Sequence, residues 1–236
     1  LKKVVITGIG VVSPIGMGKE NFLRALKVGV SGINFIPELL EHNFNCCIGG
    51  IPSTETSDFL PILEKYNLSD TASVIHYALL AALEAWSDAG LYLPEHDSTI
   101  IDPDTEVIIG SGLGSMDIIS NRLVRLVNEK KHRKLKSSTN EQLLFSASGA
   151  YFSGIIGAGN YCSANSNACA TGTEAILVGF EHIRQGKAKR MIVGSAEGYS
   201  PYYWAAFDAL RVTAANFNDT PGKGSRPMSA SACGMV

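Results

Sequence analysis

Segments with the pattern of buried strands alternate with segments of helical periodicity, and this alternation restricts the possible folds more than any other feature. Between residues 71 and 89, apolar side chains recur every three or four positions, which predicts a helix that ends at Gly90. Residues 106–110, which are apolar apart from Glu106, are typical of a strand buried on both faces, as strands of parallel sheets are. Further strands are predicted at residues 3–7, 161–165 and 190–194, and further helices at residues 19–27, 115–131, 142–156 and 169–185. The order predicts an α/β fold with helices on both faces of a mainly parallel sheet.

A length of 236 residues fits one large domain, or one and a half of ordinary size, and residues 1–236 are interpreted as one domain. Apolar residues make up 45% of the chain and the net charge is −2, a combination that excludes intrinsic disorder. A near-neutral charge also argues against general nucleic-acid binding. We expect no membrane attachment, because no stretch of about 18 apolar residues occurs. No secretory signal is visible, so a cytoplasmic location is expected.

A 32-residue segment, residues 142–173, contains no charged side chain. Its many Ser, Asn and Gly residues would leave polar groups unpaired in lipid, which argues against a membrane span. Charged residues are only 18% of the whole chain, below the usual figure of about 25%. The segment is therefore predicted to lie in the interior or in a subunit interface.

The chain has five cysteines, and none of them stands in a CxxC pair or at a metal-ligand spacing. An odd number of cysteines without a secretory signal indicates free thiols in a reducing compartment, and no metal site is expected. Cys162 and Cys233 are interpreted as small core residues, and Cys46 and Cys47 lie in an irregular region.

Cys169 is the one cysteine whose surroundings suggest chemistry. It follows a predicted strand and a turn of small residues, and it comes just before a long helix. The free N–H groups and the dipole at a helix N-terminus favour a thiolate and can hold a developing oxyanion. These features suit covalent catalysis by acyl transfer. A buried structural thiol is the alternative, and the local pattern alone favours neither.

The glycine pair Gly8 and Gly10 follows the first predicted strand and superficially suggests a dinucleotide-binding turn. The third position of that motif is Ser13, and Pro14 follows it, so no helix begins there. A tight turn is the better interpretation.

The segment Ala168-Cys169-Ala170-Thr171-Gly172 resembles the nucleophile motif of the β-ketoacyl-acyl-carrier-protein synthases, the elongating ketosynthases of the thiolase-like superfamily. Other blocks of the sequence are similar to that family in the same order. They are residues 4–10, 13–16, 29–33, 88–91, 110–114, 194–197, 207–211 and 225–227.

The resemblance implies a thiolase-like layered α-β-α sandwich, of which this chain is the N-terminal half. It also implies that Cys169 takes an acyl group from the phosphopantetheine of an acyl carrier protein, with its own backbone N–H as oxyanion donor. A malonyl thioester then loses carbon dioxide and condenses with the acyl group, and no further cofactor is needed. Leu113 and Phe207 would line or gate the acyl pocket.

The family's two catalytic histidines have no counterpart among the five histidines of this chain. We therefore expect a C-terminal half that is absent here, and without it the chain should not complete a condensation. The pathway remains open between fatty-acid and type II polyketide synthesis. The family also implies a dimer, either a homodimer or a heterodimer with a related subunit, paired through the strand near residues 161–165.

A dense basic run at residues 130–136 could steer an acidic carrier protein. By resemblance, carrier docking would involve Lys134, Lys136 and Arg211. The alternative is a solvated helix end. Two non-enzymatic functions also stay open: a partner subunit that sets chain length, and a binding scaffold.

Overall fold

The computed structural model describes residues 2–95 and 98–236, and within them strands and helices alternate as expected. The strands are β1 (Val12–Ser13), β2 (Gly16–Met17), β3 (Asn34–Phe35), β4 (Ile48–Gly49), β5 (Thr105–Gly110), β6 (Cys162–Ser163) and β7 (Arg190–Ser195). The α-helices are α1 (Lys19–Val28), α2 (Pro37–Glu41), α3 (Leu60–Lys65), α4 (Ser73–Asp88), α5 (Met116–Ile118), α6 (Arg125–Asn128), α7 (Ser137–Gln142), α8 (Ala147–Ile156), α9 (Thr171–Gln185) and α10 (Pro201–Ala209). A π-helical segment, Ile119–Val124, joins α5 to α6, and single 3₁₀ turns lie at His132–Lys134, Ala168–Ala170, Ala215–Phe217 and Pro221–Lys223.

The chain divides into two compact units. The first unit contains Leu1–Gly10 and Asp58–Gly198, and the second contains Val11–Ser57 and Tyr199–Val236. Among the described residues, no helix is both long and apolar enough to cross a bilayer.

The first unit is built on a parallel sheet with strand order β6-β5-β7. Every residue of the central strand β5 is buried. Helix α8 reaches Val107 of β5 through Gly149, whereas α9 reaches Val193 of β7 through Gly179. Val107 pairs with Ile192, so Val107 and Val193 point to opposite faces of the sheet. The helices therefore lie on both faces, which confirms the predicted α/β sandwich.

The expected strand at residues 3–7 is wrong. Residues 2–11 have no regular structure, and Val5 and Ile6 are 61% and 80% exposed. A Cβ on Gly8 would overlap the Ala85 carbonyl oxygen of α4. The glycine pair thus lets this segment lie directly on a helix backbone, so its β-branched residues do not enter the sheet.

The helix predicted at residues 142–156 is present as α8, but it begins only at Ala147, because Gln142 is the last residue of the preceding helix α7. The expected strand at residues 161–165 is also shorter, with only Cys162 and Ser163 paired. The helix predicted at residues 115–131 is helical from Met116 to Asn128, but the π-helical segment interrupts it between α5 and α6. The remaining predicted helices and strands are present, with ends shifted by a few residues.

The second unit contains two antiparallel strand pairs, β1-β2 and β3-β4, together with α1, α2 and α10. Cys46 and Cys47 are both buried, and they face separate apolar clusters. Cys47 packs with Ile36 and Leu39. These two thiols therefore serve as small core residues.

The carboxylate of Asp208 ties this unit together. It accepts hydrogen bonds from the Asn45 N–H (3.0 Å), the Asn45 Nδ2 (2.9 Å), the Cys46 N–H (3.1 Å) and the Thr213 Oγ1 (3.3 Å). Burial alone would raise the pKa of Asp208, but these hydrogen bonds outweigh it and lower the pKa below its usual value.

Replacing Asp208 with asparagine should destabilise the protein by about 2–3 kcal/mol at neutral pH, because buried donors lose their acceptor. An Asp whose folded pKa is lowered stabilises the fold above its unfolded pKa of about 3.9, and this contribution is lost as the pH falls through the folded value. The difference between wild type and variant should therefore shrink below about pH 4 in urea titrations. The exposed Asp219→Asn in the same unit is the control, and an equal loss in both variants would contradict the prediction.

Candidate active site

Cys169 lies in the 3₁₀ turn Ala168–Ala170, between the edge strand β6 and the first residue of α9. Its side chain is exposed. The predicted strand–turn–helix arrangement is therefore confirmed, and the buried thiol considered as an alternative is not what the structure shows. A thiol so placed lies at the positive end of a 15-residue helix.

Two polar side chains hold this turn in shape. Thr171 is 1% exposed, and its Oγ1 accepts a hydrogen bond from the Asn167 N–H (2.9 Å) and donates one to the Ala168 carbonyl (2.7 Å). Asn165 donates through Nδ2 to the Thr171 carbonyl (2.7 Å) and to Glu174 (2.8 Å). The sequence pattern indicated no role for either residue, although Thr171 lies within the nucleophile motif. Threonine at the start of a helix is, however, a signal that could have identified one of them.

The residue before the cysteine has a strained backbone. Ala168 has φ +45°, a left-handed conformation that costs a non-glycine residue about 1–2 kcal/mol. Strain of this kind persists only where the surrounding contacts enforce it, as Thr171 does here.

Of the backbone N–H groups of the turn, one donates a hydrogen bond within the protein and another does not. The Ala170 N–H donates to the Asn167 carbonyl at 3.0 Å. In the part of the chain that the structure describes, the Cys169 N–H donates to no protein acceptor. An unengaged N–H beside an exposed sulfur is the donor that a developing oxyanion requires.

Leu113 lies close to this turn, on the loop that follows β5. A Cβ on the preceding Gly112 would lie only 3.6 Å from the Ala168 Cα, so this loop and the cysteine turn are neighbours. Leu113 itself is 41% exposed. Gly110, at the end of β5, lies under the same turn, where a Cβ would collide with the Asn165 backbone oxygen. Two predicted site residues, Cys169 and Leu113, thus occupy one end of the parallel sheet.

Phe207 and Arg211 belong to the second unit, and both are exposed. Phe207 lies on α10, and Arg211 follows that helix with φ +57°. Arg211 borders a shallow cavity of about 280 Å³ together with Asn45, Asp208, Thr213 and Ala215.

The basic run lies after α6 and includes a 3₁₀ turn, with Lys134 and Lys136 both exposed. Nearby carboxylates offset part of its charge. Asp70 lies 4.0 Å from the Lys136 Nζ and 3.2 Å from the Arg122 guanidinium. Glu129 lies 2.9 Å from Lys131.

The expectation that Cys162 and Cys233 are core residues is wrong, because both are exposed. Cys162 is exposed because β6 forms the edge of the three-stranded sheet. Its sulfur lies 3.2 Å from the Ser153 Oγ. Neither cysteine precedes a helix, so neither shares the setting of Cys169.

Two histidines, His182 and His76, lie within helices and are partly buried there. The Nδ1 of His182 lies 2.6 Å from the carboxylate of the buried Glu106. Burial lowers the pKa of His76 on α4. His96 lies outside the described residues. Within residues 2–95 and 98–236, no three His, Cys, Asp or Glu side chains are grouped as a metal site would require.

Comparison with known proteins places this geometry in a family. The sequence profile of the beta-ketoacyl synthase N-terminal domain matches residues 1–236. The 3-oxoacyl-[acyl-carrier-protein] synthase 1 of Haemophilus influenzae is 32% identical across 100% of this chain and 56% of its own length. This chain thus spans about half the length of the curated relatives it matches.

Solved structures agree with the sequence match. A beta-ketoacyl synthase from Burkholderia phymatum superposes with a TM-score of 0.84 and 27% identity, over 100% of this chain and 56% of that one. A type II polyketide synthase acyl-carrier protein complex with its ketosynthase, bound to the hexaketide, gives a TM-score of 0.81 and 26% identity, over 98% of this chain and 54% of the other. The thiolase-like fold expected from the motifs is thereby confirmed, and the chain belongs to the beta-ketoacyl synthase family, whose N-terminal domain it matches along its whole length.

Proposed function

We propose that the protein containing this chain is a β-ketoacyl-acyl-carrier-protein synthase, and that this chain supplies its acyl-transfer nucleophile, Cys169. The observation that carries the proposal is the exposed Cys169 thiol at the start of α9, beside its own unengaged N–H. The similarity to 3-oxoacyl-[acyl-carrier-protein] synthases along the whole chain supports the reaction class.

In the first step the Cys169 thiolate attacks the carbonyl carbon of an acyl thioester, and the Cys169 N–H donates to the resulting oxyanion. The new S–C bond forms as the donor's C–S bond breaks. The phosphopantetheine thiolate leaves and takes up a proton. No metal, oxidant or additional cofactor enters this step.

In the second step a malonyl thioester loses carbon dioxide, and its enolate carbon attacks the acyl group on Cys169. A C–C bond forms, the S–C bond to Cys169 breaks, and the thiolate is regenerated. The histidines that assist decarboxylation in the family match none in this chain. The condensation is therefore assigned to the full-length protein rather than to these residues alone.

Acylation can be tested directly on the full-length protein. We expect incubation with an acyl-phosphopantetheine thioester to add one acyl group, seen by intact mass and mapped to the peptide that contains Cys169. Neutral hydroxylamine should remove the group, because the bond is a thioester. No adduct on folded protein would instead favour a non-catalytic chain-length subunit or a scaffold.

The proposal includes a dimer in the cytoplasm. Among the described residues, β6 is the outer strand of its sheet and has no second strand partner, and exposed edges of this kind are usually covered. Segment 142–173, which includes β6, contains no charged side chain, and this suits an interface with an identical or a related subunit. Five unpaired cysteines suit a reducing compartment.

The proposed partner is an acyl carrier protein, which is acidic, and Lys134, Lys136 and Arg211 are proposed to meet it. A ketosynthase in complex with such a carrier is among the similar structures, which supports this partner.

Reversing the charge at Lys134 and Lys136 together should raise the apparent KM for the carrier about tenfold at low salt, and the effect should fade as ionic strength rises. Lys134→Glu alone should account for most of the change, because Asp70 already offsets part of the charge of Lys136. The control is Lys27→Glu, an exposed lysine on α1. If carrier titrations give the same KM in all variants, the proposal that these lysines form the docking surface is contradicted.

A further inference from the structure

The loop that carries Leu113 wraps around one carboxylate, that of Glu197. The Gly112 N–H donates to one Glu197 oxygen at 2.5 Å. The other oxygen accepts from the Ser111 Oγ at 3.1 Å and from the Leu113 N–H at 3.3 Å. The Ser111 Oγ in turn accepts from the Gly114 N–H at 2.9 Å, so all four loop residues belong to one network.

The sheet explains why residues so distant in sequence meet. The loop follows β5, and Glu197 follows β7 by two residues. These strands are parallel and paired over six residues each, so their carboxyl ends reach the same edge. Residues 194–197 are similar to the family, but the sequence pattern indicates no role for Glu197.

The network borders the nucleophile turn. A Cβ on Gly112 would lie 3.1 Å from the Glu197 carboxylate and 3.6 Å from Ala168. Gly112 thus lies close to both the carboxylate and the cysteine turn. Leu113, the next residue, is the proposed wall of the acyl pocket.

We propose that Glu197 is a positioning residue that sets acyl-chain selectivity, because it holds Leu113 at a fixed place beside Cys169. This inference rests on the proposed function. Glu197 contacts neither the sulfur nor the Cys169 N–H, so it acts only through the loop. Both of its oxygens must accept, since three donors converge on them.

Glutamine at position 197 keeps the length of the side chain but turns one oxygen into an NH₂ group. That group cannot accept from an N–H, so one side of the loop is released. Aspartate keeps both acceptors but is one methylene shorter, and it should reach the loop poorly. We expect Glu197→Gln to loosen Leu113 without moving Cys169, which Thr171 holds independently.

The experiment compares acylation of full-length protein by acetyl and dodecanoyl phosphopantetheine thioesters. In Glu197→Gln the dodecanoyl-to-acetyl rate ratio should change about tenfold, which corresponds to about 1.4 kcal/mol. The rate of Cys169 alkylation by iodoacetamide should stay within about twofold, because that reagent does not need the acyl pocket. Amide hydrogen exchange at Gly112 and Leu113 should become faster. Glu197→Asp should show a shift in the same direction.

The matched control is Glu95→Gln, an exposed carboxylate on the loop after α4. It should leave the rate ratio and both exchange rates unchanged. Equal losses for both acyl donors in Glu197→Gln would overturn the proposal, since they would indicate a general structural role. An unchanged ratio together with unchanged exchange would also overturn it.

The two proposals fail in different ways. If wild-type protein accepts no acyl group from either donor, the proposed function fails, and chain selectivity fails with it. If wild type is acylated but Glu197→Gln keeps the wild-type ratio, only the role of Glu197 is lost.

Discussion

Replacement of Cys169 by alanine is expected to abolish the acyl adduct completely, with no measurable change in the fold. In the proposed mechanism the acyl group is bonded to this chain through the Cys169 sulfur, and no neighbouring group is proposed to take its place. The side chain is exposed, and a surface substitution of this size changes stability by no more than about 0.5 kcal/mol. Intact mass after incubation with an acyl thioester measures the first effect, and urea unfolding measures the second.

The chain provides its own controls, because two other thiols are exposed in the single chain. Cys233 is the closer match to Cys169, since Cys162 lies on β6, which is proposed to be covered in the dimer. Cys162→Ala and Cys233→Ala should retain the adduct at the wild-type level. Cys162 lies on an edge strand and Cys233 lies in the second unit, so neither has a helix N-terminus behind its sulfur. If the adduct is retained in Cys169→Ala and lost in Cys162→Ala, then Cys162 is the nucleophile and the proposed mechanism is contradicted.

The parts of the fold that sequence predicts well are those whose pattern is local. Helix α4 has a long apolar stripe, and β5 contains an uninterrupted apolar run at residues 107–110, so each is recognisable without its neighbours. The run at residues 3–7 resembles β5 in composition, yet it is not a strand. A strand forms only where a neighbouring strand can pair with it, and a local sequence pattern does not show whether such a neighbour exists. Here Gly8 and Gly10 allow the segment to pack against the backbone of α4 instead.

The same distinction applies to the candidate site. Cys169 could be singled out as a candidate because small residues before a long helix form a local pattern, but that pattern did not separate a catalytic thiol from a buried one, and the resemblance to the family motif did. Asn165 and Thr171 support the turn through hydrogen bonds between residues four to six positions apart. These hydrogen bonds could not be predicted from the sequence, because they depend on the conformation of the turn. Glu197 meets Gly112 across 85 positions, and only the pairing of β5 with β7 brings them together. A local pattern can thus indicate a candidate nucleophile, but the contact between Glu197 and the loop beside that nucleophile depends on the pairing of β5 with β7.

Gly110→Ala should cost about 3 kcal/mol or more of stability and lower the acylation rate at least about tenfold. Gly110 ends the fully buried strand β5, and a Cβ there would overlap the Asn165 backbone oxygen, the Asn165 Oδ1 and the Thr171 Cγ2. The side chains could rotate, but the backbone oxygen could not, so relief requires moving the turn that holds Cys169. Gly194→Ala on the neighbouring strand β7 is the matched control, because nothing lies within 4 Å of its Cβ. That variant should be as stable as wild type in urea and equally active. If both glycine variants unfold and react alike, the tight contact beneath the turn is not what places the thiol.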